Sequence, residues 1–143
     1  MTMASNIELA ERYLHDFNHR GYSVDALKEY VAEEVVVTVP ATGQEYHGLE
    51  GAIQFYESWV QTFSDAQVQD MTSVDRGEYV EVQFRGTGTF DRVLVTPQGT
   101  FSGDGSRQVN LAFMNRFWIQ DGKITRIEGN FDPNDMLRQL GLG

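Results

Sequence analysis

The first quarter of the chain has apolar residues at helical spacing. Between Ile7 and Asn18 they recur at steps of three and four residues, which predicts an amphipathic helix. The residues on this apolar stripe are Ile7, Ala10, Leu14 and Phe17. Gly21 ends the helix, and Ser23 or Asp25 can cap a second, shorter helix that carries the apolar residues up to position 31. Two helices are therefore expected to open the fold.

The next segments combine one short strand with a third helix. Residues 35–39 are almost all β-branched and are followed by Pro40, which predicts a short strand. Residues 49–63 return to helical spacing after Gly48 and predict a third helix.

Beyond position 65 the pattern changes to alternation, which is typical of strands. Strands are predicted over residues 68–74, 78–90, 108–119 and 123–131. Asp132 precedes a proline, a combination that predicts an N-capped final helix. Helices first and an antiparallel sheet afterwards place the chain in the α+β class, and we interpret residues 1–143 as one domain.

Side-chain parity makes Asn115 unusual. In the strand over residues 108–119 it shares a face with five apolar residues and is the only polar member of that row. Those residues are Val109, Leu111, Phe113, Phe117 and Ile119. Asn115 is thus a candidate for a buried amide.

Composition and charge narrow the possible functions. The chain has no cysteine, so disulfides, thiolate metal sites and a cysteine nucleophile are excluded. The formal net charge is −10, which disfavours binding to nucleic acid or to anionic lipid. The sequence shows neither a signal segment nor a span that could cross a bilayer, so we expect a cytoplasmic protein. His15 and His19 are four residues apart, but no third ligand joins them, and no metal site is predicted.

Five short segments occur in a recognisable order along nearly the whole chain. They are Gly-Leu-Glu-Gly-Ala-Ile-Gln-Phe-Tyr at 48–56, Gly-Thr-Gly-Thr at 86–89, Thr-Pro-Gln-Gly at 96–99, Asp-Gly-Lys-Ile at 121–124, and Asp132 followed by Leu-Arg-Gln-Leu-Gly at 137–141. In order and spacing they resemble the SnoaL-like polyketide cyclase family. The resemblance implies the cone-shaped nuclear transport factor 2-like fold, in which three main N-terminal helices pack on a curved antiparallel sheet that encloses a pocket.

The resemblance also implies a chemistry. Characterised members close a polyketide ring by intramolecular aldol condensation with no metal or organic cofactor, and by position their acid/base carboxylate is Asp132. Comparison with ketosteroid isomerase, on the same fold, implies that Tyr13 and Asn115 donate hydrogen bonds. Phe90 stands where the family usually has histidine, which leaves His47 as the remaining proton shuttle. Asp132 can equally cap the final helix.

We expect the cavity to be lined mainly by aromatic side chains and to take a small hydrophobic molecule. The predicted binding residues are Phe17, Tyr56, Trp59, Phe63, Phe90, Phe113, Phe117 and Phe131. On the opposite face of the sheet, Met114, Arg116 and Trp118 mix apolar and cationic groups, and this predicts a homodimer.

The favoured function is a cofactor-independent acid/base cyclase or isomerase that acts on a bulky hydrophobic secondary metabolite. One alternative is a limonene-type epoxide hydrolase or an epoxide-opening cyclase, which the neighbours Asp91 and Arg92 suggest. The other is a small-molecule binding or partner-stabilising protein without turnover, which Phe90 in place of histidine favours.

Overall fold

Polar side chains that directly precede three of the helices cap their N-termini. The computed structural model describes residues 5–142. Its helices are α1 (Asn6–Asn18), α2 (Val24–Leu27), α3 (Gly48–Val60) and α4 (Pro133–Gln139). The Ser5 hydroxyl accepts a hydrogen bond from the Glu8 N–H at 3.1 Å, and Ser23 accepts one from Ala26 at the same distance. The second helix is a single turn, shorter than predicted.

Most of the strands form one sheet. The strands are β1 (Val31–Val39), β2 (Gln44–His47), β3 (Gln67–Asp75), β4 (Val80–Phe90), β5 (Val93–Thr96), β6 (Gly99–Ser102), β7 (Arg107–Gln120) and β8 (Lys123–Asn130). Six of them form a sheet in the order β2-β1-β8-β7-β4-β3, and β5 pairs with β6 as a separate hairpin. All pairs are antiparallel except β1 with β8, which run parallel. The α+β class and the curved sheet are confirmed, whereas the sheet is mixed rather than purely antiparallel.

Irregularities in pairing give the sheet its curvature. The register shifts between Gln69 and Thr72 in β3, where Asp70 has a positive φ of 58°. It shifts again between Trp118 and Ile119 in β7. Such irregularities bend a strand and increase its twist. The concave face that results receives α1 and α3.

Two glycines in β4 let aromatic rings approach the concave face. A Cβ built on Gly86 would lie 2.5 Å from the Phe113 ring, and one on Gly88 would lie 2.7 Å from Cβ of Phe63. Both distances are shorter than van der Waals contact. Glycine is therefore required at these positions for the rings to pack over the strand.

The core has two parts. One cluster joins α1 and α3 to the middle of the sheet and contains Tyr13, Leu27, Val37 and Phe117 among others. The second, at the other end of the sheet, holds Phe63, Phe90, Leu94, Leu111 and Met136. The inner cavity described below is lined by residues of both clusters.

The β5–β6 hairpin is tied to the end of α3. The Val93 N–H donates to the Gln61 carbonyl at 3.1 Å, and the Thr62 hydroxyl donates to the Val93 carbonyl at 2.8 Å. A Cβ on Gly103 would lie 2.3 Å from the Phe90 carbonyl oxygen, so the chain after β6 runs directly against β4. These contacts hold the hairpin beside the C-terminal end of α3.

The convex face of the sheet carries ordered polar and aromatic contacts. Arg116 pairs with Glu128 at 3.2 Å, and the two residues lie opposite each other in β7 and β8. The Trp118 ring packs against Tyr79 at 5.3 Å between centroids and lies under the Arg126 guanidinium at 4.9 Å. The homodimer expected through this face stays a prediction.

Within residues 5–142, no helix has the length and apolar character needed to cross a bilayer.

Candidate functional site

An apolar cavity lies between the helices and the concave face of the sheet. Its volume is about 70 Å³. Helices α1 and α3 form one side, and β4, β7 and β8 form the other. No Asp, Glu, Lys, Arg or His is among its lining residues. We call this space the inner cavity; its side chains include Tyr13, Phe17, Tyr22, Phe55, Tyr56, Trp59, Phe63, Phe84, Phe113, Asn115 and Phe131.

Tyr13 brings a buried hydroxyl to the inner cavity. It lies on the apolar face of α1 and is 4% exposed. The hydroxyl has no hydrogen-bond partner of acceptable geometry among residues 5–142, although the Tyr22 ring lies beside it at 5.1 Å between centroids. Burial raises the pKa of Tyr13 well above its ordinary value, because the phenolate would lose its hydration. At neutral pH Tyr13 is thus a hydrogen-bond donor.

Asn115 is the second polar group of the inner cavity. It is 5% exposed, and its Oδ1 has no hydrogen-bond partner among the described residues. Gly129, the residue opposite it in β8, leaves space there, since an added Cβ would lie 3.5 Å from Oδ1. Buried polar groups normally have partners. Oδ1 of Asn115 and the Tyr13 hydroxyl are thus buried polar atoms of the inner cavity that have no partner among residues 5–142.

Aromatic rings make up most of the remaining wall. Trp59 meets Phe131 at 5.3 Å and Phe113 at 5.6 Å between ring centroids, and stacks on Phe63 at 6.5 Å. Six of the eight predicted binding residues line the inner cavity: Phe17, Tyr56, Trp59, Phe63, Phe113 and Phe131.

Phe90 and Phe117 do not line the inner cavity, and this part of the prediction is wrong. Phe117 is fully buried and packs edge-on against Tyr13 with ring centroids 5.8 Å apart. Phe90 packs against Phe63 at 6.2 Å in the second core cluster. Both have the inward parity that the sequence indicates, but parity does not distinguish a packed core position from a cavity wall.

A second, larger space lies on the other side of the aromatic wall. It has a volume of about 640 Å³ and is bounded by the β1–β2 turn, the end of α3, the β5–β6 hairpin and α4. We call it the outer cleft. Phe55, Trp59, Phe63 and Phe131 line both spaces. The outer cleft also has no Asp, Glu, Lys, Arg or His among its lining residues.

Asp132 and His47, the two predicted proton-transfer residues, lie outside both spaces. The Asp132 side chain is exposed, and its carboxylate accepts the Asn134 N–H at 2.9 Å, which caps α4. The His47 side chain is 70% exposed and lies 3.5 Å from Glu45. The structure therefore brings Tyr13 together with Asn115 but brings neither proton-transfer residue to them.

The Asp91–Arg92 pair also faces solvent. Asp91 accepts hydrogen bonds from the N–H and hydroxyl of Ser64, and these bonds lower the pKa of its carboxyl below the usual range. The Arg92 guanidinium donates to the Val60 carbonyl at 3.3 Å. Among residues 5–142, no arginine lies between two carboxylates in the inner cavity or the outer cleft, so the geometry does not favour the epoxide alternative.

Tyr22, Phe55 and Phe84 line the inner cavity but were absent from the prediction. Tyr22 lies between α1 and α2, and its hydroxyl donates to the Tyr13 carbonyl. Phe84 has inward parity on β4 and stacks on Phe113 at 5.0 Å. Parity could have found Phe84. Tyr22 carries no periodic signal because it stands outside the regular elements.

The family relationship follows from a profile match. The SnoaL-like domain profile matches residues 10–127. The chain belongs to the SnoaL-like domain family. Among curated proteins, none shows a significant sequence match to this SnoaL-like chain.

Solved structures similar to this SnoaL-like protein share its fold. IdmH of Streptomyces antibioticus, a candidate polyketide cyclase, is 21% identical with a TM-score of 0.77, covering 96% of this chain and 99% of that one. A candidate SnoaL-like polyketide cyclase from Jannaschia sp. is 20% identical with a TM-score of 0.77, covering 100% and 99%. A protein with a ketosteroid isomerase-like fold from Catenulispora acidiphila is 14% identical with a TM-score of 0.76, covering 97% and 96%. The nuclear transport factor 2-like fold is thereby confirmed.

Proposed function

We propose that this SnoaL-like protein is a cyclase or isomerase that acts on a neutral, hydrophobic carbonyl compound without a metal or organic cofactor. The observation that carries this proposal is a pair of buried atoms without a hydrogen-bond partner among residues 5–142, the Tyr13 hydroxyl and Oδ1 of Asn115, in a mostly apolar cavity. The Tyr13 hydroxyl can donate to a carbonyl oxygen, and the Asn115 side chain can donate through Nδ2 and accept an enol hydroxyl through Oδ1. Such donors act more strongly in a site that excludes water.

The uncharged lining favours a mechanism in which hydrogen-bond donors activate the substrate carbonyl. In the ring closure of a substrate that reaches the cavity already as its enol, the enol carbon attacks the carbonyl carbon, and a carbon–carbon bond forms while negative charge develops on the carbonyl oxygen. Tyr13 and Asn115 stabilise that charge. The enol oxygen becomes a ketone, and its proton passes to the new alkoxide oxygen, so the step balances without an external base. This agrees with the uncharged lining, in which no residue is a carboxylate or an imidazole.

The test is the intramolecular aldol closure of nonane-2,4,8-trione, whose 2,4-dicarbonyl unit exists largely as the enol, to its cyclic β-hydroxy ketone, followed by chromatography. We expect the protein to accelerate this closure. Removing one such donor typically costs roughly 10²–10³ in rate, so Tyr13→Phe and Asn115→Leu should each lose most of the acceleration. Asp132→Asn should retain it, because Asn can keep the α4 cap. Full acceleration in Tyr13→Phe would contradict the proposal.

A second candidate function is binding without turnover. It is favoured by the positions of Asp132 and His47, whose exposed side chains leave the inner cavity without a proton-transfer group. The same assay separates the two functions. Saturable binding of the trione with no acceleration of its closure would identify a binding protein.

A further inference from the structure

The inner cavity is too small to hold a bulky ligand. Its volume is about 70 Å³. Pockets for drug-sized ligands usually measure roughly 300–1,000 Å³, and a cavity that takes up benzene measures about 150 Å³. The outer cleft, at about 640 Å³, falls within the usual range. The inner cavity therefore suits one end of a molecule whose larger part lies elsewhere.

Only one layer of side chains separates the two spaces. Phe55, Trp59, Phe63 and Phe131 contribute surface to both. Trp59 meets Phe55 and Phe131 edge to face, at 6.3 and 5.3 Å between ring centroids. A molecule in the outer cleft thus lies against the rings that close the inner cavity, and a molecule that spans both spaces needs those rings to move apart.

Charge is excluded from both spaces. Charged residues make up 22% of this chain, yet none lines the inner cavity or the outer cleft. The polar groups of the outer cleft are neutral hydroxyls and amides from Thr42, Gln44, Ser58, Gln61, Thr96 and Gln98. An ionised ligand group placed there would lose hydration without gaining an opposite charge. The spaces together therefore suit an uncharged ligand.

We infer that the ligand is an elongated, neutral molecule that occupies both spaces at once. Its carbonyl end lies in the inner cavity against Tyr13 and Asn115, and its longer part lies in the outer cleft. This inference rests on the proposed function for the carbonyl end and adds a binding subsite and a substrate class. Free acids, phosphate esters and other anionic derivatives are excluded as ligands.

Three probes of defined length and charge test the inference: 2-heptanone, 2-undecanone and undecanoate. The chain has two tryptophans, so Trp118→Phe leaves Trp59 in the shared wall as the fluorescent reporter. Each buried methylene strengthens binding about fourfold. We expect 2-undecanone to bind at least tenfold more tightly than both 2-heptanone and undecanoate.

Substitutions at two exposed positions of α3 test where the long end of the probe lies. Ser58 lines the outer cleft, whereas Gln54, one turn earlier in α3, is exposed and lines neither space. Ser58→Phe should weaken 2-undecanone at least tenfold and leave 2-heptanone within twofold. Gln54→Phe, the matched control, should change neither ketone.

A gain-of-function variant tests charge exclusion directly. Gln61→Lys places a cation at the edge of the outer cleft and should strengthen undecanoate binding at least tenfold. Gln54→Lys should not. Circular dichroism confirms that each variant is folded before titration.

The outcomes separate this inference from the proposed function. Unchanged 2-undecanone binding in Ser58→Phe, or undecanoate binding as tight as 2-undecanone in the unsubstituted cleft, would overturn the inference. If 2-heptanone binds equally to the protein and to Tyr13→Phe, the proposed function fails instead, whatever the outer cleft does. Absence of binding by both ketones would overturn both.

Discussion

Replacing Tyr13 by phenylalanine should make the protein more stable. The hydroxyl is buried and has no well-aligned hydrogen bond among residues 5–142, because the Tyr22 hydroxyl beside it donates to the Tyr13 carbonyl instead. A buried polar group without a partner costs about 1–3 kcal/mol. The ring contacts with Phe117 and Tyr22, at 5.8 and 5.1 Å between centroids, do not involve the hydroxyl and should persist. We therefore expect Tyr13→Phe to raise the free energy of unfolding by about 1–2 kcal/mol.

The assay is urea denaturation followed by circular dichroism, with thermal melting as a second measurement. In a chain of this length, 1 kcal/mol corresponds to a shift in Tm of about 3–5 °C. Two neighbouring tyrosines serve as controls because their hydroxyls are partnered. Tyr22 donates to the Tyr13 carbonyl, and Tyr30 donates to Asp16 at 2.9 Å. Tyr22→Phe should lower stability by about 0.5–1.5 kcal/mol and Tyr30→Phe by about 1.5–3 kcal/mol.

A loss of stability in Tyr13→Phe would refute this reasoning. It would mean that the hydroxyl is satisfied in the folded protein and is not held free for a ligand. We predict that Tyr13→Phe is more stable than the parent protein and binds carbonyl compounds less well. This combination is characteristic of a group that is retained for function at a cost in stability.

Three further predictions concern positions around the site. Asp132→Ala should lower the free energy of unfolding by about 0.5–2 kcal/mol through loss of the α4 cap and leave ketone affinity unchanged, which denaturation and fluorescence titration measure. Gly86→Ala should cost about 1–3 kcal/mol in the same denaturation assay, because the new Cβ would lie 2.5 Å from the Phe113 ring. Hydrogen bonds from Ser64 depress the folded-state pKa of Asp91, so its stabilising contribution is complete above the unfolded-state pKa and is lost as pH falls through the lower folded-state value. Asp91→Asn should thus be less stable than the parent at pH 7, and a difference that persists undiminished below about pH 2 would contradict this assignment.

Local patterns predicted most of the elements because short-range chemistry determines them. The apolar spacing of α1, the glycine at the start of α3 and the alternation in β4 and β7 each depend on neighbouring residues only. The first residue of β1 could not be predicted in this way. The strand begins at Val31 rather than Val35 because its first residue pairs with Ile124 of β8, nearly a hundred positions later, in the parallel part of the sheet. Pairing over that separation leaves no periodic signal in the sequence.

Only those parts of the candidate site that depend on local pattern could be predicted. Asn115 stands out as one amide in an apolar row, and parity alone shows it. Asp132 illustrates the opposite case. Its sequence fits a carboxylate beside a cavity and a helix cap equally well, and the structure shows the cap because the strand ends at Asn130 and the chain turns outward before α4. The division into inner cavity and outer cleft depends on where aromatic rings meet, which no local pattern encodes.

The central claim is that Tyr13 and Asn115 donate hydrogen bonds to the carbonyl of a neutral ligand inside an apolar cavity. Infrared spectroscopy of 2-undecanone labelled with ¹³C at the carbonyl measures this directly, since hydrogen bonding lowers the stretching frequency. We predict a lower frequency for the ketone bound to the protein than in hydrocarbon solvent, with a return towards the hydrocarbon value in the Tyr13→Phe, Asn115→Leu double variant. The same frequency in the protein and in the double variant would contradict the account.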